Sequence, residues 1–202
     1  DIRLNHKRTY RLYKEAGLSI RKRSKKKRYE KRGMPERTSL KYNSRWSMDF
    51  VCDRTRYGGH IRIMTLIDEA TRECLALEVD SSITGRKVAS VLNRVALFRG
   101  LPEKILTDNG SGFTGNALNA WSHDHKVEHI FTDTGCPTQN GYIESFNGKL
   151  RDECLNQNWF ANLSEAKKII EEWRLEYNKL RPHSSLGNLT PEEYALKLVG
   201  NY

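Results

Sequence analysis

The sequence predicts an α/β fold: a mixed five-stranded sheet, an antiparallel meander continued by parallel strands, with helices on its faces. Three observations predict it. Between residues 46 and 79 three successive runs alternate apolar and polar residues, the period of half-buried strands joined by short turns. Between residues 84 and 180 segments at helical spacing interleave with short apolar runs, the order that returns a chain across a sheet. The 202 residues suffice for one medium domain with an appendage, and about 150 of them bury roughly two-thirds of their unfolded surface without staples.

The elements follow in order. Asn5 to Gly17 reads as a short helix with Tyr10, Leu12, Tyr13 and Ala16 on its apolar face. Trp46 to Cys52 is a first strand, and Gly58-Gly59 is a hairpin turn. His60 to Asp68 is a second strand with Ile61, Ile63, Thr65 and Ile67 on one face. A third carries Leu75, Leu77 and Val79 on one face. Val88, Val91, Leu92, Val95 and Leu97 mark a helix over Thr84 to Phe98, which Gly100-Leu101-Pro102 stops. Ile105 to Thr107 is a short strand, Asn116 to Trp121 a helix and Val127 to Phe131 another strand. Gln139 to Leu155 is a long helix. Ser164 to Leu180 is a further helix, with Ser164 as its N-cap and Glu165 in its first turn. Trp159 and Trp173 are assigned to the core.

Charge divides the chain into residues 1–41 and residues 42–202. The first segment holds 16 Lys or Arg against 4 acids, a net +12; the second holds 19 against 21, a net −2. Seven of the eight residues from Arg21 to Arg28 are basic (Arg21, Lys22, Arg23, Lys25, Lys26, Lys27, Arg28), too charged to pack and suited to phosphate. A basic arm beside a near-neutral domain points to a polyanion partner. Cys52, Cys74, Cys136 and Cys154 have no CxxC spacing, which argues against a zinc site and for a reduced, cytoplasmic protein. No apolar run approaches a membrane span.

Three acids carry the chemistry. Asp49 lies in Trp46-Ser47-Met48-Asp49-Phe50-Val51, where an acid in a strand needs a compensating partner. Asp108 opens Asp108-Asn109-Gly110, which taken alone reads first as a turn and becomes a ligand candidate only beside the other two acids. Glu144 stands on the last-but-one helix between Ile143 and Phe146, at the edge of an apolar face. Fifty-eight residues separate the first pair and thirty-five the second. Carboxylates are hard ligands for Mg²⁺ or Mn²⁺. Two such ions about 3.5–4 Å apart stabilise both the attacking and the leaving oxygen of a phosphodiester.

With these acids go Thr107-Asp108-Asn109-Gly110, the run from Pro137 to Asn156, Tyr177-Asn178-Lys179-Leu180-Arg181-Pro182-His183 and Thr190-Pro191-Glu192-Glu193-Tyr194. In these stretches the sequence resembles the integrase-like transposases of bacterial insertion sequences, in particular the second-frame product of the IS-three family, within the superfamily of retroviral integrases. The resemblance runs from about residue 3 to residue 198. It implies an RNase H-like core in which Asp49, Asp108 and Glu144 are catalytic and hold two Mg²⁺, with Mn²⁺ able to substitute. It implies cleavage at transposon ends followed by strand transfer, double-stranded DNA as partner (ends and target), and a homo-oligomer on DNA. It also implies a basic residue seven positions after the glutamate, here Arg151, two helical turns along the same face. Lys149, Asn109, Gln139, Asn140 and Tyr142 are further candidates for DNA contact, and Asn109-Gly110 for close backbone approach. Gly135 to Gly141 reads as a mobile loop before the active-site helix. His183 reads equally as a phosphate ligand, a partner contact or a structural histidine. Two positions depart from the pattern of many relatives: Gly112 stands where they carry Glu, and Cys136 where they carry Lys. The amino-terminal stretch resembles only the last part of the family's helix-turn-helix region.

Overall fold

The computed structural model describes residues 6–16, 41–110, 113, 115–132 and 140–200. The chain divides into two compact units, residues 1–38 and 39–202. In the first, α1 spans His6–Glu15 and exposes Tyr10 and Leu12, two residues of its expected apolar face. The arm cations Arg21, Lys22, Arg23, Lys25, Lys26, Lys27 and Arg28, together with Gln139, Gly112 and Cys136, lie outside the described residues.

The second unit is built on strands β1 (Arg45–Arg54), β2 (His60–Asp68), β3 (Cys74–Asp80), β4 (Lys104–Thr107) and β5 (Glu128–Phe131). Their order is β3-β2-β1-β4-β5. The first three form the expected antiparallel meander, while β4 joins β1 and β5 joins β4 in parallel. The helices are α2 (Gly85–Arg99), α3 (Asn116–His125), α4 (Gly141–Glu153), α5 (Leu163–Lys179) and α6 (Pro191–Val199). On one face Val51, Ile61, Ile63 and Val79 pack with Ile143, Phe146 and Leu150 of α4 and Ala166, Ile170 and Tyr177 of α5. On the other, Trp46, Met48, Met64 and Leu66 pack with Val88, Val91 and Leu92 of α2 and Leu118 and Trp121 of α3. A sheet covered on both faces buries both parities of its central strands, so Met64 and Leu66 are as deep as Ile61 and Ile63. No helix among the described residues is long and apolar enough to cross a membrane.

Several expectations are corrected. Leu75 packs on the face opposite Leu77 and Val79, because an irregularity between Leu66 and Ile67 pairs Ile67 with Cys74 and Leu66 with Ala76, which shifts the parity of β3 by one. Leu97, on the last turn of α2, is 82% exposed; Thr84 caps that helix through Lys87 N, and Gly100 at φ 83° ends it. Asn162 rather than Ser164 caps α5, its Oδ1 accepting from Glu165 N at 2.9 Å. Trp173 packs as expected against Phe146 and Tyr177, but Trp159 is 83% exposed after a 3-10 turn, Leu155–Gln157, that carries it outward.

Candidate active site

The parallel pairing of β1 with β4 brings the first two acids together. Its last paired residues are Ser47 and Leu106; two positions further along each strand stand Asp49 and Asp108. Asp49 lies at the middle of β1, level with the carboxyl end of β4, and Asp108 is the first residue after β4, so the pair sits where β4 ends and β1 runs on. Glu144 projects from the first turn of α4, which packs across β1 and β2 through Ile143, Phe146 and Leu150.

Asp49 is half-buried. Its Oδ1 accepts from Phe50 N at 2.7 Å and its Oδ2 from Asn147 Nδ2 at 2.7 Å. Burial pushes its carboxyl above the usual range, the charges of Asp108 and Glu144 push the same way, and the two hydrogen bonds oppose them. The mutual repulsion of three acids is thus already felt at Asp49. Asp108 Oδ1 accepts from Gly110 N at 3.0 Å, closing an Asx turn. A Cβ on Gly110 would stand 2.9 Å from that oxygen, so any side chain there would displace the Asp108 carboxylate. The loop is pinned beneath by Phe113, which stacks on Phe50 at 4.5 Å and donates its N–H to Gly110 O. Glu144 is exposed. Among the described residues no group of three His, Cys, Asp or Glu is already gathered at metal-binding distance. The donor set nevertheless suits a hard divalent cation: it is all carboxylate, and a cation offsets the charge that raises Asp49.

The remaining candidates divide. Arg151 is exposed two turns beyond Glu144. Asn109 ties its loop to the chain after β5, its Nδ2 donating to Thr132 O at 3.0 Å. Asn140 is the buried N-cap residue of α4, and its side chain makes no capping bond. Tyr142 and Lys149 lie on the opposite flank of α4 from Glu144 and Arg151. There Tyr142 lies under Arg72, and Lys149 faces Tyr177. Asn147 did not stand out in the sequence, although its place three residues after Glu144 puts it on the same helix face.

Fold and carboxylate pair define a class: an α/β domain with an acidic site where β4 ends beside the middle of β1. Integrase core domain models match residues 40–137 and 125–191. The 39.2 kDa protein of insertion element IS476 from Xanthomonas euvesicatoria is 47% identical over 192 residues, 95% of this chain and 56% of that protein. The 31.7 kDa protein of insertion element IS407 from Burkholderia multivorans is 46% identical over 197 residues, 96% of this chain and 70% of that one. Putative transposase InsD of insertion element IS2E from Escherichia coli is 28% identical over 203 residues, 95% of this chain and 91% of that protein. The chain therefore spans a little over half to nine-tenths of these relatives. Among solved structures, the HTLV-2 integrase catalytic core domain in complex with magnesium superposes with a TM-score of 0.64 at 18% identity, covering 78% of this chain and 99% of that one. The fold is RNase H-like, as the sequence resemblance implied. The chain belongs to the insertion-sequence transposase family with an integrase core domain.

Proposed function

We propose that this chain is the catalytic part of a DNA transposase, cutting phosphodiesters at the ends of its element and joining them to target DNA in the bacterial cytoplasm. One observation carries this reading most: the β1–β4 register sets Asp49 beside Asp108, and α4, which bears Glu144 in its first turn, packs across β1 with Asn147 donating to Asp49. Asp49, Asp108 and Glu144 would hold two divalent ions, Mg²⁺ or Mn²⁺, whose chemistry would be to activate the attacking hydroxyl and stabilise the leaving 3′ oxygen. The chain's own groups prepare that site. Phe50 N–H and Asn147 fix the rotamer of Asp49, and Gly110 N–H fixes Asp108. Glu144 is exposed on its helix and would have to turn toward Asp49 and Asp108 to share an ion with them. Arg151, two turns on, can take a phosphate of the same strand and align it. Double-stranded DNA is the partner, and holding two element ends at once calls for an oligomer on DNA.

The test is strand transfer of a pre-nicked element end into target duplex, with Mg²⁺ or Mn²⁺. Asp49→Asn, Asp108→Asn and Glu144→Gln should each reduce joining by at least about 1,000-fold while leaving duplex binding in place, since electrostatic stabilisation of phosphoryl transfer is lost. Asp49→Asn should fold at least as well as the parent, because the amide removes a charge that burial disfavours. Joining that survives in any of the three variants removes that carboxylate from the assignment. Hydrolysis without joined products in the parent chain would make it a nuclease.

A further inference from the structure

A second charged cluster lies on the other side of α4. Tyr142, Lys149 and Glu153 follow one another at seven and four residues, so they line one flank of the helix, about half a turn round from Glu144 and Arg151. Three other segments meet them there: the turn between β2 and β3 with Arg72, the end of α5 with Tyr177, and the segment after it with Arg181 and His183. The Arg72 guanidinium lies 3.5 Å from the centroid of the Tyr142 ring. Lys149 Nζ and the Arg181 guanidinium lie 5.8 Å and 5.9 Å from the centroid of Tyr177, and His183 meets the same ring edge-on at 5.1 Å.

The charges do not balance. Arg72, Lys149 and Arg181 outnumber the carboxylates near them: Glu153, held by both terminal guanidinium nitrogens of Arg181, and Glu176, which acts more weakly on Arg181, while Arg72 Nη1 donates to the Glu69 carbonyl. Burial and then the charges of Arg181 and Arg72 pull the Lys149 amine below its ordinary range. Burial, followed by Lys149, Arg181 and Arg72, lowers His183 to about 4, so the imidazole is neutral at physiological pH. His183 is 7% exposed, and its Nε2 has no hydrogen-bond partner among the described residues. A buried polar nitrogen without a partner costs free energy, as does a half-buried ammonium among like charges. One anion would relieve both.

We propose that Arg72, Lys149, Arg181 and His183 form a binding site for a DNA backbone phosphate, on the flank of α4 opposite the carboxylates. The donors come from three separate segments and converge from different directions, an arrangement suited to a tetrahedral oxyanion and less so to a planar carboxylate. Lys149 and Arg72 supply charge, and His183, as its Nε2–H tautomer, supplies a neutral donor. The rings of Tyr142 and Tyr177 hold the cations in place without neutralising them. Helix α4, about 10–12 Å across with its side chains, is all that separates the two sites, and duplex DNA carries a charge about every 1.7 Å along its axis. A duplex engaged at the carboxylates therefore has phosphates to offer here. The inference rests on DNA being the substrate of the carboxylate site and adds a second point that fixes its direction.

Two measurements on the full chain test it, both with a short duplex of arbitrary sequence. In salt titrations of duplex binding, Lys149→Gln combined with Arg72→Asn should lower affinity several-fold at moderate salt and reduce the slope of log K against log salt by about 1, the effect of one lost phosphate contact. Asparagine suits position 72, whose φ of 61° lies in the left-handed region. Lys149→Arg with native Arg72 should keep the parent slope. In nitrogen NMR of labelled histidine, duplex should shift the His183 Nε2 signal and raise its titration midpoint above about 4, since a phosphate offsets the surrounding cations. The double variant should lose that response. If the double variant melts early, Arg72→Asn alone is read the same way. An unchanged slope in a variant of parent stability, or a His183 signal indifferent to duplex, overturns the proposal. So does a variant that keeps its duplex slope and loses self-association, which would give the cluster to a carboxylate of a second copy. A parent chain that shows the His183 response yet joins no strands would support this site and overturn the reading of the carboxylates.

Discussion

Asp49 sits among groups that pull its proton in opposite directions. Burial, Asp108 and Glu144 favour the neutral acid, while Phe50 N–H and the Asn147 amide favour the carboxylate that a metal needs. The sign for activity follows. In the proposed site the ionised form is the ligand, so metal binding should weaken as pH falls through a midpoint that already lies above the ordinary carboxylate range. Asn147→Leu removes a donor to the charged form and raises that midpoint further. The acid limb of strand transfer should move to higher pH, the Mg²⁺ concentration for half-maximal rate should rise, and the rate at neutral pH should fall roughly 10–100-fold, as for other partners of metal ligands. Rates measured across pH and Mg²⁺ decide it; a limb that stays in place with unchanged metal dependence would reduce Asn147 to packing. The i, i+3 spacing of Glu144 and Asn147 is visible in the sequence. That Asn147 reaches a strand 98 positions earlier depends on how α4 crosses β1, which no local pattern encodes.

The elements themselves were largely legible because their periodicities are strong: the meander, the helix over residues 84–98 and the short strands before and after α3 all stand where alternation and turn residues put them. The misses share a cause in tertiary context. Leu75 changed faces at a ladder irregularity, Ser164 lost the cap to a neighbour with equally good chemistry, and Trp159 left the core after a 3-10 turn. The edge strand β3 shows the same dependence. The buried Asn178 of α5 accepts from Cys74 N at 2.8 Å and donates to Cys74 O at 2.9 Å, while Arg174 donates to the same carbonyl at 3.1 Å. A helix side chain thus supplies the ladder partner that the sheet edge lacks, and closes the edge to other strands. Asn178→Leu leaves the Cys74 N–H buried without a partner and should cost about 2 kcal/mol, lowering Tm by roughly 4–8 °C. Thermal denaturation reads it, and a Tm within about 1 °C of the parent would mean the strand end finds another donor and acceptor.

At the scale of the whole chain the electrostatics work at two ranges. Residues 42–202 carry a net −2, so their net charge supplies no long-range attraction to DNA; on the proposed reading phosphate is held only where cations cluster locally, at Arg151 and at Arg72, Lys149 and Arg181. Residues 1–41 carry +12, a charge that would act over a Debye length of about 8–10 Å and speed encounter with a polyanion. The division predicts a separation of effects. Removing residues 1–32 takes away a net +11 and leaves residues 39–202, a compact unit, intact. Duplex binding should weaken by at least about 100-fold at low salt, with its salt slope reduced by several units, since each lost phosphate contact accounts for about 0.9. Joining measured at saturating pre-nicked end should fall far less, because Asp49, Asp108 and Glu144 lie wholly in the remaining part. Salt titration and saturated single-turnover joining, run on the same truncated chain, separate the two. A slope equal to the parent's would remove the arm as a phosphate binder, and a collapse of saturated joining with the fold intact would place part of the active site's organisation in the arm.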